Sequence, residues 1–418
     1  MTNPAGDDFR RGEATHSIPA TIAACAAASA LVPIHPSIQS LWIEAGLPSL
    51  LGVLMFLGPA LLFFLFHPAL SRYEVGVFLP FLGYAIWLLA TSAYSPAIGM
   101  PNWWNSVRSL AVVLPAITLA ACVAARNPSA AVRVVIGCGI AATVHYSYLL
   151  FAGKSGGDEA SGFGAIAVID GVPNYQATTY YMGILGVWAL SLIKCRRAHL
   201  LPGLACLALA IALMSTAGAR SALVGLVGLA VISLGVSRLK LLMGMMSLGL
   251  LLGIFMLASL SHFNYDVSAG EGFQGWAVVG RFLTLFEEGD SSHRLRLFSS
   301  ALEMWLESPA NLLFGGGLAA YPLFTGQADE AGWYPHNFVL ESLAEGGLIA
   351  VLPLAIIMLR LLTGFWKNGR LQLQYVFMQY FAIYTFLAYM FMGGIDSVWI
   401  PCFALTMHFF TARYLVRR

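Results

Sequence analysis

About twelve apolar stretches, most near the length of a membrane span, limit what this chain can fold into. They lie at 17–34, 47–67, 75–94, 107–126, 132–152, 175–194, 199–216, 220–236, 239–261, 346–364, 375–393 and 396–415. A transmembrane helix needs about 20 mostly apolar residues. The first stretch is weak and alanine-rich, and the eighth is short. Only 10% of the 418 residues are charged, against about a quarter in a soluble domain. The expected fold is an all-α polytopic membrane protein of about twelve transmembrane helices. Its organisation reads as a cytoplasmic tail at 1–16, a bundle of nine helices at 17–261, one large outer loop at 262–345, and three further helices with a cytoplasmic C-terminus at 346–418.

Charge orients the bundle. With both termini inside, all basic residues except Arg108, Lys154, Arg220, Arg281, Arg294 and Arg296 fall on the cytoplasmic side. Of the acidic residues, only Asp7, Asp8, Glu13 and Glu74 share that side. This satisfies the positive-inside rule. The outer basic residues then call for an anionic partner, either protein or ligand. The six cysteines sit in or at the ends of apolar runs without metal-ligand spacing, so neither disulfides nor zinc are expected. The spans themselves lack Asp, Glu, Lys and Arg near their middle, which leaves His145 and His408 as the ionisable side chains at depth other than Cys and Tyr. A proton-coupled transporter usually carries intramembrane carboxylates and repeated halves, so a lipid or polysaccharide transporter is the weaker class of reading.

Three segments carry the candidate chemistry. The turn STAGARS at 215–221 places Arg220 at the start of a helix, where the dipole disfavours a cation unless an anion is present. Ala222, Gly225 and Gly228 follow it and allow close helix packing. In the large loop, Ser291 and Ser292 are candidate N-caps, and Leu295, Phe298, Leu302 and Trp305 form one helical stripe ending at Pro309. That stripe would rest in lipid headgroups or on the spans. Arg294 falls in the first turn, so a guanidinium meets free backbone N–H groups, as in a phosphate site. A local pair with Glu287, Glu288 or Asp290 explains it equally well. Third, Tyr334, Pro335 and His336 precede the run FVLESLAEGG. Pro335 fits a first helical turn. A dipole and nearby arginines would keep His336 neutral and able to accept a proton; a capping or packing histidine is the plainer reading. Asp329 and Glu330 are too few for a metal site. In the shorter outer loops, Trp103 and Trp104 suit an interfacial belt, with sugar stacking as the sharper alternative, and 153–174 is glycine-rich.

The segments STAGARSALVGL, SSHRLRLFSSALEMWLESPANLLFGGGL and HNFVLESLAEGGL resemble the O-antigen ligase and polymerase superfamily of bacterial envelope enzymes. The resemblance spans roughly 210–350. It departs at Ala219, where a serine is usual, and at Trp305, which lies later than the pattern expects. It implies a GT-C-like, inverting, metal-independent glycosyltransferase of the bacterial inner membrane with a periplasmic active site and no cofactor. The implied donor is a glycan on undecaprenyl pyrophosphate, and the implied acceptor is the lipid A-core oligosaccharide. Besides these and membrane lipid, no nucleic acid is expected as a partner. By matching position, Arg220 and Arg294 would hold the pyrophosphate and His336 would be the general base. Arg108 joins them on charge placement alone. A single dominant outer loop favours a ligase over an O-antigen polymerase or a protein O-oligosaccharyltransferase of the same superfamily.

Overall fold

The computed structural model describes residues 27–31, 58, 72–151, 168–169, 172–173, 175–195, 200–216, 220–234, 294–327, 333–365 and 372–416. The expected span at 239–261, nearly all of those at 17–34 and 47–67, the loop segment 262–293 and the pair Asp329–Glu330 lie outside them. So do Arg281 and most of 153–174.

The described residues are almost entirely helical. The larger helices are α1 (Arg72–Thr91), α2 (Pro101–Ala125), α3 (Pro128–Phe151), α4 (Tyr175–Cys195), α5 (Leu200–Thr216) and α6 (Arg220–Leu234). Three shorter helices follow: α7 (Arg294–Leu306), α8 (Pro309–Phe314) and α9 (Tyr321–Phe324). The last three are α10 (Phe338–Phe365), α11 (Leu373–Tyr389) and α12 (Trp399–Val416). A two-residue antiparallel pair, β1 (Val168–Ile169) with β2 (Val172–Pro173), sets Val168 opposite Pro173 and Ile169 opposite Val172.

Three segments are long and apolar enough to cross a membrane: Val75–Tyr94, Pro101–Ala125 and Phe338–Leu361. Shorter apolar helices occupy Pro128–Val144, Thr179–Cys195, Leu200–Ser215 and Ser221–Ser233. The chain is therefore suited to membrane association.

Two helices begin earlier than their apolar content suggests. α2 starts at Pro101, ahead of the expected 107, because proline is pre-set for a first helical turn. Its polar opening runs to Arg108 and joins the apolar part through a π-turn at Ser109–Val113. α10 starts at Phe338, ahead of the expected 346, so part of the presumed loop is helix. It bends at Gly347, where φ is 66° and ψ is −167°. A Cβ there would lie 2.3 Å from the Leu313 carbonyl oxygen.

α11 is the central element and is buried almost throughout. It contacts α4, α6 and α12. A Cβ on Gly225 of α6 would sit 2.9 Å from the Ala388 backbone nitrogen. The small residues after Arg220 thus do permit close approach.

The contacts sort the helix ends. Tyr180, near the start of α4, lies 5.5 Å ring to ring from Tyr389 at the end of α11. Ser109 Oγ donates to the Asp396 carbonyl, and Ser95 Oγ donates to that of Leu318 at 2.6 Å. The starts of α2, α4, α6, α10 and α12 therefore share one end of the bundle. At the other end, Tyr73 Oη donates to the Phe409 carbonyl at 2.9 Å, and Arg413 lies 4.8 Å over the Tyr73 ring.

α7 and α8 are fastened to the first end. Gly316 N donates to the Ala344 carbonyl at 2.8 Å and Gly317 N to that of Glu345 at 3.0 Å. Trp87 Nε1 donates to the Gly346 carbonyl at 2.7 Å. The docked face of α7 differs from the expected stripe. Leu297, Ala301 and Met304 are buried, whereas Leu295 is 65% exposed and Leu302 38% exposed. Small Ala301 lets α7 lie close to α10, and the bulkier leucines turn outward.

Candidate functional site

His336 lies two residues before α10 with a φ of 56°. The left-handed conformation costs a non-glycine residue about 1–3 kcal/mol and clusters at functional sites. Pro335 is not in the first helical turn, contrary to the reading of the sequence. Asn337 caps the helix instead: its Oδ1 accepts from Val339 N at 3.0 Å and Leu340 N at 3.1 Å. An asparagine side chain satisfies the free N–H groups that proline only avoids.

The imidazole is half-buried. Its ring lies 4.3 Å from that of Tyr334, and Tyr334 Oη donates to the Met392 carbonyl at 3.4 Å. The buried Nδ1 of His336 meets no hydrogen-bond partner among the described residues. Burial, and secondarily the Arg294 cation, lowers the pKa of His336 to about 4. Arg294 opens α7, as expected, and is half-buried. The structure thus brings Arg294 and His336 into one electrostatic neighbourhood.

Arg108 enters from another side. It is the last residue before the π-turn of α2 and is exposed. Its charge acts on Asp396, which lies in the short 3-10 turn Ile395–Ser397. Crowding by protein atoms raises the Asp396 carboxyl above its ordinary value; hydrogen bonds at Ser397 and its own backbone oppose this, as does Arg108. Asp396 is nevertheless solvent-accessible.

Gly394 joins the two sides. A Cβ there would lie 2.9 Å from Glu341 Oε2, 2.9 Å from Tyr334 Cδ2 and 3.0 Å from Asp396 Oδ1. Buried Glu341 accepts from Ile395 N at 2.8 Å through Oε2. One turn later, buried Glu345 accepts from Ala319 N at 2.7 Å and Tyr321 N at 3.3 Å. Ala319 is itself left-handed, with φ 60°. Glu341 ties the His336 helix to the Asp396 turn, and Glu345 ties it to the glycine turn.

Arg220 opens α6, as its sequence context suggests. Its side chain lies outside the described residues, but its helix start shares the His336 end of the bundle. Arg296 is exposed on α7. Of the residues picked from sequence, Arg294 acts on His336 through its charge, and Arg108 acts on Asp396, whose carboxyl borders Gly394 together with Tyr334. Glu341, Asp396 and Tyr334 were given no role. A usable signal existed for the first: Glu341 and Glu345 are spaced to share one face of the helix entering an apolar run. Asp396 had none, because it lay at the edge of an assumed span.

No family model, no curated protein and no solved structure matches the chain. Among the described residues, no three His, Cys, Asp or Glu side chains are grouped to hold a metal ion. The chemistry available is therefore read from the site: guanidinium groups at Arg294 and Arg108, an imidazole that burial and charge keep neutral, and one accessible carboxyl at Asp396.

Proposed function

We propose that this chain is an inverting glycosyltransferase of the O-antigen ligase type. It would move a glycan from undecaprenyl pyrophosphate to the lipid A-core oligosaccharide, at the periplasmic face of the bacterial inner membrane. In this reading about twelve spans form a GT-C-like bundle with both termini cytoplasmic. The observation that carries the proposal is the pairing of a neutral His336 with the Arg294 cation at one end of an apolar bundle.

Glycosyl transfer from a pyrophosphate needs charge stabilisation on the leaving group and a base for the nucleophile. The acceptor hydroxyl oxygen attacks the anomeric carbon, and the bond from that carbon to the pyrophosphate oxygen breaks. The electron pair leaves with undecaprenyl pyrophosphate, and the hydroxyl proton passes to His336. Attack opposite the leaving group inverts the anomeric configuration. Arg294 and Arg220 would bind the pyrophosphate, whereas Arg108, whose charge acts on Asp396, would be left to the acceptor side. A guanidinium stays charged and grips phosphate in a fork. With Arg294 engaged by the pyrophosphate, its effect on His336 is offset, so the imidazole becomes a better base when the donor is bound.

The test compares wild type with His336→Ala in a strain lacking the native copy, by lipopolysaccharide gel and lipid-linked glycan assay. Bare core with accumulated undecaprenyl-linked chains is the expected result. Core carrying a single repeat would point instead to a polymerase. An unchanged profile, with the variant stably inserted, would remove His336 from the mechanism.

A further inference from the structure

We propose that the polar opening of α2 is a saccharide subsite in which Trp104 stacks on an acceptor sugar ring and Arg108 with Asp396 hold its hydroxyls. The proposal rests on the transferase reading above and names a subsite for its acceptor. Trp104 is 59% exposed. It is one turn before Arg108, so the two lie on one helical face. Pro101 and Asn105 are exposed on the same side of the helix, whereas Ser106 is buried on the opposite side.

The indole is held in place. Its ring packs edge-on against Trp103 at 4.7 Å, and Trp103 Nε1 donates to Ser92 Oγ at 3.2 Å. Trp103 is half-buried against the core, so it acts as the support and Trp104 as the platform. α2 also touches the Ile395–Ser397 turn, where the Ser109 Oγ bond to the Asp396 carbonyl fixes the register. The face thus presents an apolar plate, guanidinium and amide donors at Arg108 and Asn105, and a carboxylate acceptor at Asp396. This combination matches a pyranose, which has an apolar C–H face and a rim of hydroxyls that both donate and accept. An interfacial tryptophan anchored in lipid has no use for a guanidinium one turn away whose charge acts on an accessible carboxyl. The π-turn directly after Arg108 supports the assignment, since such insertions occur frequently at functional sites.

The face lies at the His336 end of the bundle, on a different helix from Arg294.

The test uses the full-length protein in nanodiscs with purified lipid-linked glycan and lipid A-core. Trp104→Ala is expected to raise the acceptor KM about tenfold, with kcat and donor KM nearly unchanged, and Trp104→Phe to restore most of it. An unchanged acceptor KM, or a rise in donor KM instead, overturns the subsite while leaving the transferase reading intact. If the wild type transfers nothing, that reading fails, and binding of released core oligosaccharide by saturation-transfer NMR decides the subsite separately. Binding lost in Trp104→Ala sustains it, and no binding by the wild type overturns it.

Discussion

The two ends of the bundle are built differently. At the Tyr73–Phe409 end, helices meet through aromatic rings, and Arg413 lies over a ring in the manner of an interfacial anchor. At the His336 end, the chain bends through Gly99, Gly315, Gly317 and Gly347 and through left-handed Ala319 and His336. It also buries Glu341 and Glu345, each bonded to backbone N–H groups of another segment. Strained backbone and buried carboxylates are costly. Their concentration at one end separates a supporting end from a working end.

The largest test of this contrast uses glycine. Gly315 has φ 76°, and a Cβ there would lie 2.3 Å from the Glu345 carbonyl carbon and Gly346 nitrogen. Gly315→Ala should cost about 1–3 kcal/mol in backbone strain and about as much again in overpacking. Gly76, near the other end, has nothing within 4 Å of its built Cβ; Gly76→Ala should be neutral or stabilise by up to about 1 kcal/mol. Thermal unfolding in detergent reads both, and equal Tm values would break the comparison.

Buried polar groups come next. Glu345→Ala leaves the Ala319 and Tyr321 N–H groups without their acceptor, at roughly 1–3 kcal/mol each. His408, deep in α12, has a buried Nδ1 that meets no hydrogen-bond partner among the described residues. An apolar ring of similar shape should be tolerated there, so His408→Phe is expected to be neutral or mildly stabilising. The same unfolding assay would contradict the contrast if the two changes were equally harmful.

The pH profile sharpens the working end further. An ordinary histidine near 6.5 loses its base form as pH falls below that value. His336, lowered to about 4, stays neutral across the interval between. The acid limb of kcat/KM, which reports the free enzyme, should therefore lie near 4. Arg294→Gln removes one of the two lowering causes, so this limb should move up. A limb near 6.5 in the wild type would show that the imidazole is neither buried nor next to a cation in solution. The smallest effect is expected at the supporting end: Arg413→Gln should cost about 1 kcal/mol or less and leave transfer unchanged. A large loss of transfer would show that this end takes part in the reaction.

Much of the fold was legible because helix signals are local. The starts of α6 at Arg220 and α7 at Arg294 were placed correctly, and the ends of α4 and α5 fall close to those read from hydropathy. For the stripe on α7 the sequence left two surfaces open, lipid headgroups or the spans, and another face, with Leu297, Ala301 and Met304, is the buried one. Apolar residues lie on both sides of that helix, and the choice between them depends on the shape of α10, which packs against it. A helix start at Pro335–His336 was legible, close to the observed Phe338, but hydropathy alone placed the span later, at 346. Hydropathy stops counting at Glu341 and Glu345, whereas the backbone continues as helix once each carboxylate has partners elsewhere in the chain.

Sequence alone determined that the chain is helical and apolar enough for a membrane, since helical period and side-chain transfer from water act within about 20 residues. It also supplied Arg294 and His336 as separate candidates. Only the tertiary structure decided that the Arg294 charge acts on His336, that Asn337 rather than Pro335 opens α10, and that Arg108 answers to Asp396. Each of those depends on hydrogen bonds and charges that act over a few ångströms between segments far apart in the chain. No local pattern encodes such distances.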